Sequence, residues 1–231
     1  MILLAIDTSA GAGSLALSFG GRAFELEIDD SRGQTASLPG RLHALLGGAG
    51  CTIARLEGIA CGIGPGSFTS LRVGVAYAQG LALGLGCPAV GVSSLAMLAH
   101  AAGPGDWVVA QDARQGEVYL GVYRVAEGMA PELLLPEQVG PANGAPALPA
   151  GNFGCAGNAW DAYGDALREA LGLGASARRS SAVLHARHAL AIGALRLAAG
   201  QGADACALQP NYLRERVALT LVEQRGGVPL R

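Results

Sequence analysis

The chain contains no lysine; its sixteen basic residues are all arginine. That absence excludes a Walker-type lysine on nucleotide phosphates, a Schiff-base lysine and a lysine general base. Histidine is scarce, with four in 231 residues, and none of the five cysteines (51, 61, 87, 155, 206) belongs to a C-x-x-C pair. Neither a zinc site nor a disulfide framework is indicated, and the cysteines read as reduced and buried. Charge is missing from one long stretch: the 48 residues between Glu57 and Asp106 carry Arg72 alone. Such a run cannot leave much of itself facing water, yet its turn glycines and prolines forbid one long membrane helix. It is expected to be buried, partly against another protein. Met1-Ile2-Leu3-Leu4-Ala5-Ile6 meets Asp7 without a basic region or a long apolar core. No signal peptide and no membrane partner are therefore expected, and the location is expected to be cytoplasmic.

Half of the chain is hydrophobic (51%) and 36 residues are glycine, enough apolar surface for one compact domain or two small lobes. The charge is uneven. Residues 1–167 hold seven arginines against fourteen acids, whereas residues 168–231 hold nine arginines against four. A patch with Arg178, Arg179, Arg187, Arg196, Arg214 and Arg216 could touch RNA phosphates, but the acidic first half argues against nucleic-acid binding by this chain alone.

Inside the charge-poor stretch lies the turn Gly62-Ile63-Gly64-Pro65-Gly66-Ser67-Phe68-Thr69. It reads as strand, tight loop and helix, with Ser67 or Thr69 available to accept from the first free N–H groups of the helix. Glycines at 62, 64 and 66 would suit a phosphate cradle, but the spacing is not G-x-G-x-x-G followed by an acid, so a rigid packing turn is the alternative. The helix expected over residues 71–85 has small residues in two rows, Gly74, Ala78 and Ala82 on one and Ala76, Gly80 and Gly84 on the other. Each interior glycine costs about 1 kcal/mol relative to alanine, so something must offset it. One row can pack on the helix's own sheet; the other, with Val73, Tyr77 and Leu81 nearby, is free for a partner.

Two segments echo each other. Leu3-Leu4-Ala5-Ile6-Asp7 is an apolar strand tipped by aspartate, followed by a strand over 14–19, a turn at Gly20-Gly21 and a third strand to Ile28. Val108-Val109-Ala110-Gln111-Asp112 ends likewise, turns through residues 113–116 and re-enters a strand over 118–125. Helices are expected over 35–47, with Leu38, Leu42 and Leu45 on one face, and over 161–171 and 182–199. His185 and His188 fall on the last of these as a surface pair; His43 is alone on its helix, and His100 closes an apolar run. No nucleophile–base set follows from these residues.

Two β-β-β-α lobes, each opening on an aspartate-tipped strand, resemble the superfamily of actin, heat-shock chaperones and sugar kinases (ASKHA). The resemblance sharpens over Gly64-Pro65-Gly66-Ser67-Phe68-Thr69-Ser70-Leu71-Arg72-Val73-Gly74, Gly91-Val92-Ser93-Ser94-Leu95, Asp112-Ala113-Arg114-Gln115-Gly116-Glu117-Val118-Tyr119 and Pro210-Asn211-Tyr212-Leu213-Arg214. Across residues 2–217 the chain is similar to the TsaB (YeaZ) family, accessory proteins of bacterial tRNA threonylcarbamoyladenosine synthesis. Ser70 stands where that family usually has glycine.

The resemblance implies an α/β fold of two duplicated ribonuclease-H-like lobes, the second reduced. Residues 1–104 would form the first lobe with the docking helices, 105–217 the second, and 218–231 a tail. It implies no catalytic residue, metal or cofactor of the chain's own. The catalytic paralogue TsaD carries H-x-x-x-H on the helix after its third strand, where this chain has Gln34-Thr35-Ala36-Ser37-Leu38-Pro39. Asp7, Thr8 and Ser9 would be a vestigial phosphate loop; alternatively, Asp7 caps the turn after the first strand. The implied partners are TsaD and the ATPase TsaE, with a homodimer in their absence and tRNA met only through the complex. The implied interface comprises Leu38, Leu42, Leu45, Arg72, Val73, Tyr77, Gly80 and Leu81, with Arg72 pairing a carboxylate or carbonyl across it. The alternative is a small kinase like type III pantothenate kinase, for which Gly157-Asn158 and Gly226-Gly227 are weak substitutes for an adenosine-binding element.

Overall fold

The structure is a computed structural model in which residues 1–10, 13–28 and 34–214 are described. The first sheet has the order β3-β2-β1-β4-β5, from β1 (Leu3–Asp7), β2 (Gly13–Phe19), β3 (Arg22–Ile28), β4 (Gly58–Gly64) and β5 (Ala89–Ser93). β1 is buried along its whole length because β4 runs parallel to it and helices cover both faces. Gly20 and Gly21, both at positive φ (59° and 74°), join β2 to β3 in the two-residue turn that matches strand twist. β3 closes that edge with Arg22, Glu25 and Glu27 turned to water, which discourages further strand pairing.

The second sheet repeats the plan in the order β8-β7-β6-β9, from β6 (Gly105–Arg114), β7 (Glu117–Val125), β8 (Glu132–Pro141) and β9 (Phe153–Ala156). β6 to β8 form an antiparallel meander and β9 lies parallel to β6, as β4 does to β1. Two pieces are reduced. A three-residue 3-10 turn, Ala142–Gly144, stands where the first lobe has the helix α1 (Gln34–Ala49), and the fifth strand survives as one parallel bridge between Cys155 and Arg179. The fold is α/β, with two ribonuclease-H-like lobes of which the second is the smaller.

Helices bind the lobes by exchange. α1 and α2 (Phe68–Leu85) cover the outer face of the first sheet, and α4 (Ala159–Leu171) the outer face of the second. Between the sheets lie α3 (Ser94–Ala102), which packs on β6 and β7, and α5 (Ala186–Ala198), which packs on β1, β2 and β4. Each inner helix therefore serves the opposite lobe. Leu95, Ala96, Met97, Leu98 and Ala99 of α3 are all at most 2% exposed, so this helix is enclosed on every side. The lack of charge between Glu57 and Asp106 thus has two causes, since α3 needs none within the core and α2 carries little on an outer face. Among the described residues no helix is long and apolar enough to cross a membrane.

Candidate functional site

β1 delivers Asp7 to the end of the first sheet, and the turn that follows is sealed. Asp7 is 1% exposed, and its Oδ1 accepts the Ser9 N–H at 3.1 Å. A Cβ on Gly62 would collide with this carboxylate, so β4 passes directly against it. Burial pushes the Asp7 carboxyl above the ordinary carboxylate range, against the opposing pull of Ser9 and His185. Thr8 is fully buried and its hydroxyl donates to the Ser70 carbonyl at 2.7 Å. Directly over it, a Cβ on Gly74 would strike Thr8 Oγ1. Ser9 accepts the Ser67 N–H at 3.0 Å, and a Cβ on Gly66 would run into that same Ser9 carbonyl. Of the two readings of Asp7, the structure shows the turn-capping contact, and a vestigial phosphate loop here has no open access at Asp7 or Thr8. Asp7 and Thr8 are committed to internal packing and do not fit a metal–phosphate cradle; of the three, Ser9 alone lines the cleft between the lobes.

That cleft has a volume of about 490 Å³, with Ser9, Gly66 and Ser67 on one wall and Asp112, Arg114 and Asn158 on the other. Its second-lobe wall is a turn held open. Arg114 and Gln115 adopt positive φ (67° and 57°) ahead of Gly116 (81°). Asp112 Oδ1 accepts the Arg114 N–H at 2.8 Å, while the Asp112 N–H donates to Asn158 Oδ1 at 2.9 Å. Gly157 lies against the Ala110 carbonyl too closely for a Cβ, so Gly157-Asn158 is a packing turn that follows β9 and rests on β6. Gly226-Gly227 lies outside the described residues.

The rows of α2 part as their spacing predicts. Gly74, Ala78 and Ala82 are buried on the sheet; Arg72, Ala76, Gly80, Leu83 and Gly84 are exposed, Leu83 at 67%. Val73, Tyr77 and Leu81 are half-buried beside them. A Cβ at Gly80 or Gly84 would meet nothing, so the outer row is open. Leu38, Leu42 and Leu45, expected at a partner interface, are instead 1%, 2% and 4% exposed. They are the inner face of α1, and their burial against β2 and β3 contributes roughly 1.5–3 kcal/mol each to the lobe itself. The helix begins three residues before the expected start, and the Ser67 side chain makes no capping bond; its hydroxyl lies 3.1 Å from that of Ser70.

A strap from Leu208 to Arg214, which contains the Pro210-Asn211-Tyr212-Leu213-Arg214 segment of the family resemblance, ties α2 to both lobes. The Leu208 carbonyl accepts Gln79 Nε2 at 2.7 Å, and the Asn211 N–H donates to the Ile63 carbonyl at 2.8 Å. Asn211 Nδ2 donates to Glu137 Oε2 at 2.6 Å, while Ser93 and Tyr123 donate their hydroxyls to Glu137 Oε1. One carboxylate of β8 thus gathers β5, β7 and the strap. Burial and the Glu137 charge both push the Tyr123 hydroxyl upward, so it stays protonated as a donor. Tyr212 packs on Phe68 and Arg72, and Arg214 pairs with Glu117.

His43 and His100 stand where expected, but His185 and His188 do not form a surface pair. His188 meets His100 of α3, Nδ1 to Nδ1, at 3.1 Å, and His185 caps α5 by accepting the Arg187 N–H. Burial, with His100 and the Arg187 charge beside it, lowers His188 to about 4. His43 is exposed on α1. The described arginines of the expected patch are each engaged within the chain. Arg178 stacks on Trp107, Arg179 pairs with Asp161, Arg187 with Glu25, and Arg196 donates to the Gly91 carbonyl; Arg216 lies outside the described residues.

Comparison with known proteins adds three findings. A family model described as TsaD, tRNA N6-adenosine threonylcarbamoyltransferase, matches residues 30–139, from α1 into β8. Proteins named tRNA threonylcarbamoyladenosine biosynthesis protein TsaB are similar in sequence: that of Escherichia coli is 40% identical over 131 residues, and that of Haemophilus influenzae 37% over 123. These alignments take in 54% and 52% of this chain, and it spans about half the length of both relatives, 55% and 52%. The solved structure of YeaZ from Pseudomonas aeruginosa is 34% identical, with a TM-score of 0.82 over 92% of this chain and 99% of that one.

Proposed function

The chain belongs to the TsaB (YeaZ) family, and on that footing we propose that it is a scaffold in tRNA threonylcarbamoyladenosine synthesis, without catalysis of its own. Through the outer face of α2 it pairs with the catalytic paralogue TsaD and helps to recruit the ATPase TsaE. The complex transfers a threonylcarbamoyl group from its adenylate to N6 of adenosine 37 in tRNAs reading ANN codons, and tRNA is met through the complex. Without its partner, the same face pairs two copies of the chain. In this assignment residues 1–104 carry the docking helix, 105–217 form the second lobe and 218–231 a tail.

The observation that carries this reading is the outer row of α2. Ala76, Gly80 and Gly84 leave a backbone-close surface with open space above it, flanked by Leu83 and by half-buried Val73, Tyr77 and Leu81. Small residues four apart let a second helix approach closely, and an apolar strip of this kind in water favours being covered. The sealed Asp7 turn supports the non-catalytic part of the reading, since it removes the carboxylate that metal-assisted phosphoryl chemistry on this fold would use.

Tyr77→Glu places a carboxylate in the middle of the strip, and an unpaired charge buried at an interface is expected to weaken association at least about a hundredfold. Sedimentation velocity of the variant, alone and mixed with TsaD, reads this directly. Unchanged self-association and unchanged TsaD binding would refute the docking face. Calorimetric titration with ATP separates the kinase alternative, which requires the isolated chain to bind nucleotide with micromolar to millimolar affinity.

A further inference from the structure

Arg72 is the one formal charge between Glu57 and Asp106, and it is exposed on the first turns of α2. Its guanidinium carbon lies 3.9 Å from the centroid of the Phe68 ring and 5.8 Å from that of Tyr212. Arg72 Nε donates to the Tyr212 hydroxyl at 2.8 Å, so one edge of the guanidinium is used inside the chain and Nη1 and Nη2 form the remaining fork. Among the described residues no carboxylate stands within ion-pair distance of it. An arginine stacked and tethered in this way has given up much of its rotamer freedom before any anion arrives.

We propose that Phe68, Arg72 and Tyr212 form a receptor for one carboxylate on the docking partner, and that this receptor selects the partner over a second copy of the chain. The proposal rests on the docking role of α2 set out above. Selection follows from what the face lacks. Residues 58–105 contain no aspartate or glutamate, and α1 contains none either. Two copies that meet around Arg72 bring two guanidinium groups together on a water-poor surface, and the carboxylate beside the strip, exposed Asp204, lies at the far end of α2 next to Leu83 and Gly86. A foreign face with one Asp or Glu opposite the fork instead forms two charge-assisted N–H···O bonds. The mismatch in the self-pair and the match in the mixed pair act in the same direction. Tyr212, 46% exposed, aims the fork, and it does so from a strap anchored on Glu137 and Glu117 of the second lobe.

The test uses the full chain and purified TsaD from the same cell, with affinities measured by sedimentation and calorimetry at low and high salt. Arg72→Gln is expected to weaken TsaD binding about thirtyfold or more, to leave self-association no weaker, and to flatten the salt dependence of TsaD binding. Tyr212→Phe keeps the charge but frees the fork, and an expected loss of about threefold in TsaD affinity reads that aim alone. Far-UV circular dichroism checks that each variant is folded. With Tyr77→Glu still disrupting association, equal losses of both interactions in Arg72→Gln, or no loss in either, would overturn the receptor and leave the docking face standing. If Tyr77→Glu disturbs nothing, the docking face is wrong and the receptor falls with it.

Discussion

The turn after β1 and the turn after β6 occupy equivalent places in two copies of one topology, and they are built in opposite ways. The first is closed by three glycines: Gly62 lies on Asp7, Gly66 on Ser9 and Gly74 on Thr8, each too close to admit a methyl group. The second is wide enough that a Cβ on Gly116 would meet nothing, and it holds two non-glycine residues at positive φ. A turn packed to van der Waals contact is what a structural joint needs. The lobe with the sealed turn is also the lobe whose helix offers an open row of small residues. Close packing behind α2 gives the outer strip a rigid base, which in the docking proposed above lowers the entropy lost on association.

The comparison is broken most forcefully at Gly66. Gly66→Ala drives a methyl group into the Ser9 carbonyl, where backbone must move, and is expected to destabilise the protein by about 2–4 kcal/mol. Gly116→Ala, at a φ of 81° but in open space, is expected to lose only about 1 kcal/mol. Denaturant unfolding of the two variants measures the difference, and equal losses would deny that one turn is packed and the other open. A smaller effect sharpens the same contrast. Because burial raises the Asp7 carboxyl above its unfolded value of 3.8, the unfolded chain releases this proton first, and stability falls as pH rises above that value. Asp7→Asn keeps an oxygen for the Ser9 N–H and removes the titration. Its stability relative to the parent chain is expected to improve from acid to neutral pH, and a constant difference across that range would show that Asp7 is not held in an apolar site.

Much of this architecture was legible from residue patterns. Leu3-Leu4-Ala5-Ile6-Asp7 and Gly20-Gly21 define a strand and a turn without reference to the rest of the chain, and β1 and the β2–β3 hairpin stand there. The two rows of α2 follow from spacing alone. What resisted reading depended on distant contacts. Leu38, Leu42 and Leu45 form an apolar helix face, and sequence gives no way to tell whether such a face meets its own sheet or another protein. The exchange of α3 and α5 between lobes has no local signature either, although it explains why Leu95 to Ala99 can be apolar on every side. Glu137 was invisible for a similar reason: an isolated Glu in Leu-Pro-Glu-Gln does not announce that Ser93, Tyr123 and Asn211, up to 74 residues away, will donate to it. Spacing along the chain pairs His188 with His185, whereas its neighbour in space is His100 on another helix.

Gly80→Leu tests the central claim most directly, because position 80 faces open space and the substitution touches only whatever covers α2. Replacing an exposed helical glycine is expected to hold or raise fold stability by up to about 1 kcal/mol. Sedimentation velocity of the variant mixed with TsaD should then show two separate folded species and no complex. A complex of undiminished affinity, with a leucine side chain standing on the strip, would contradict the account.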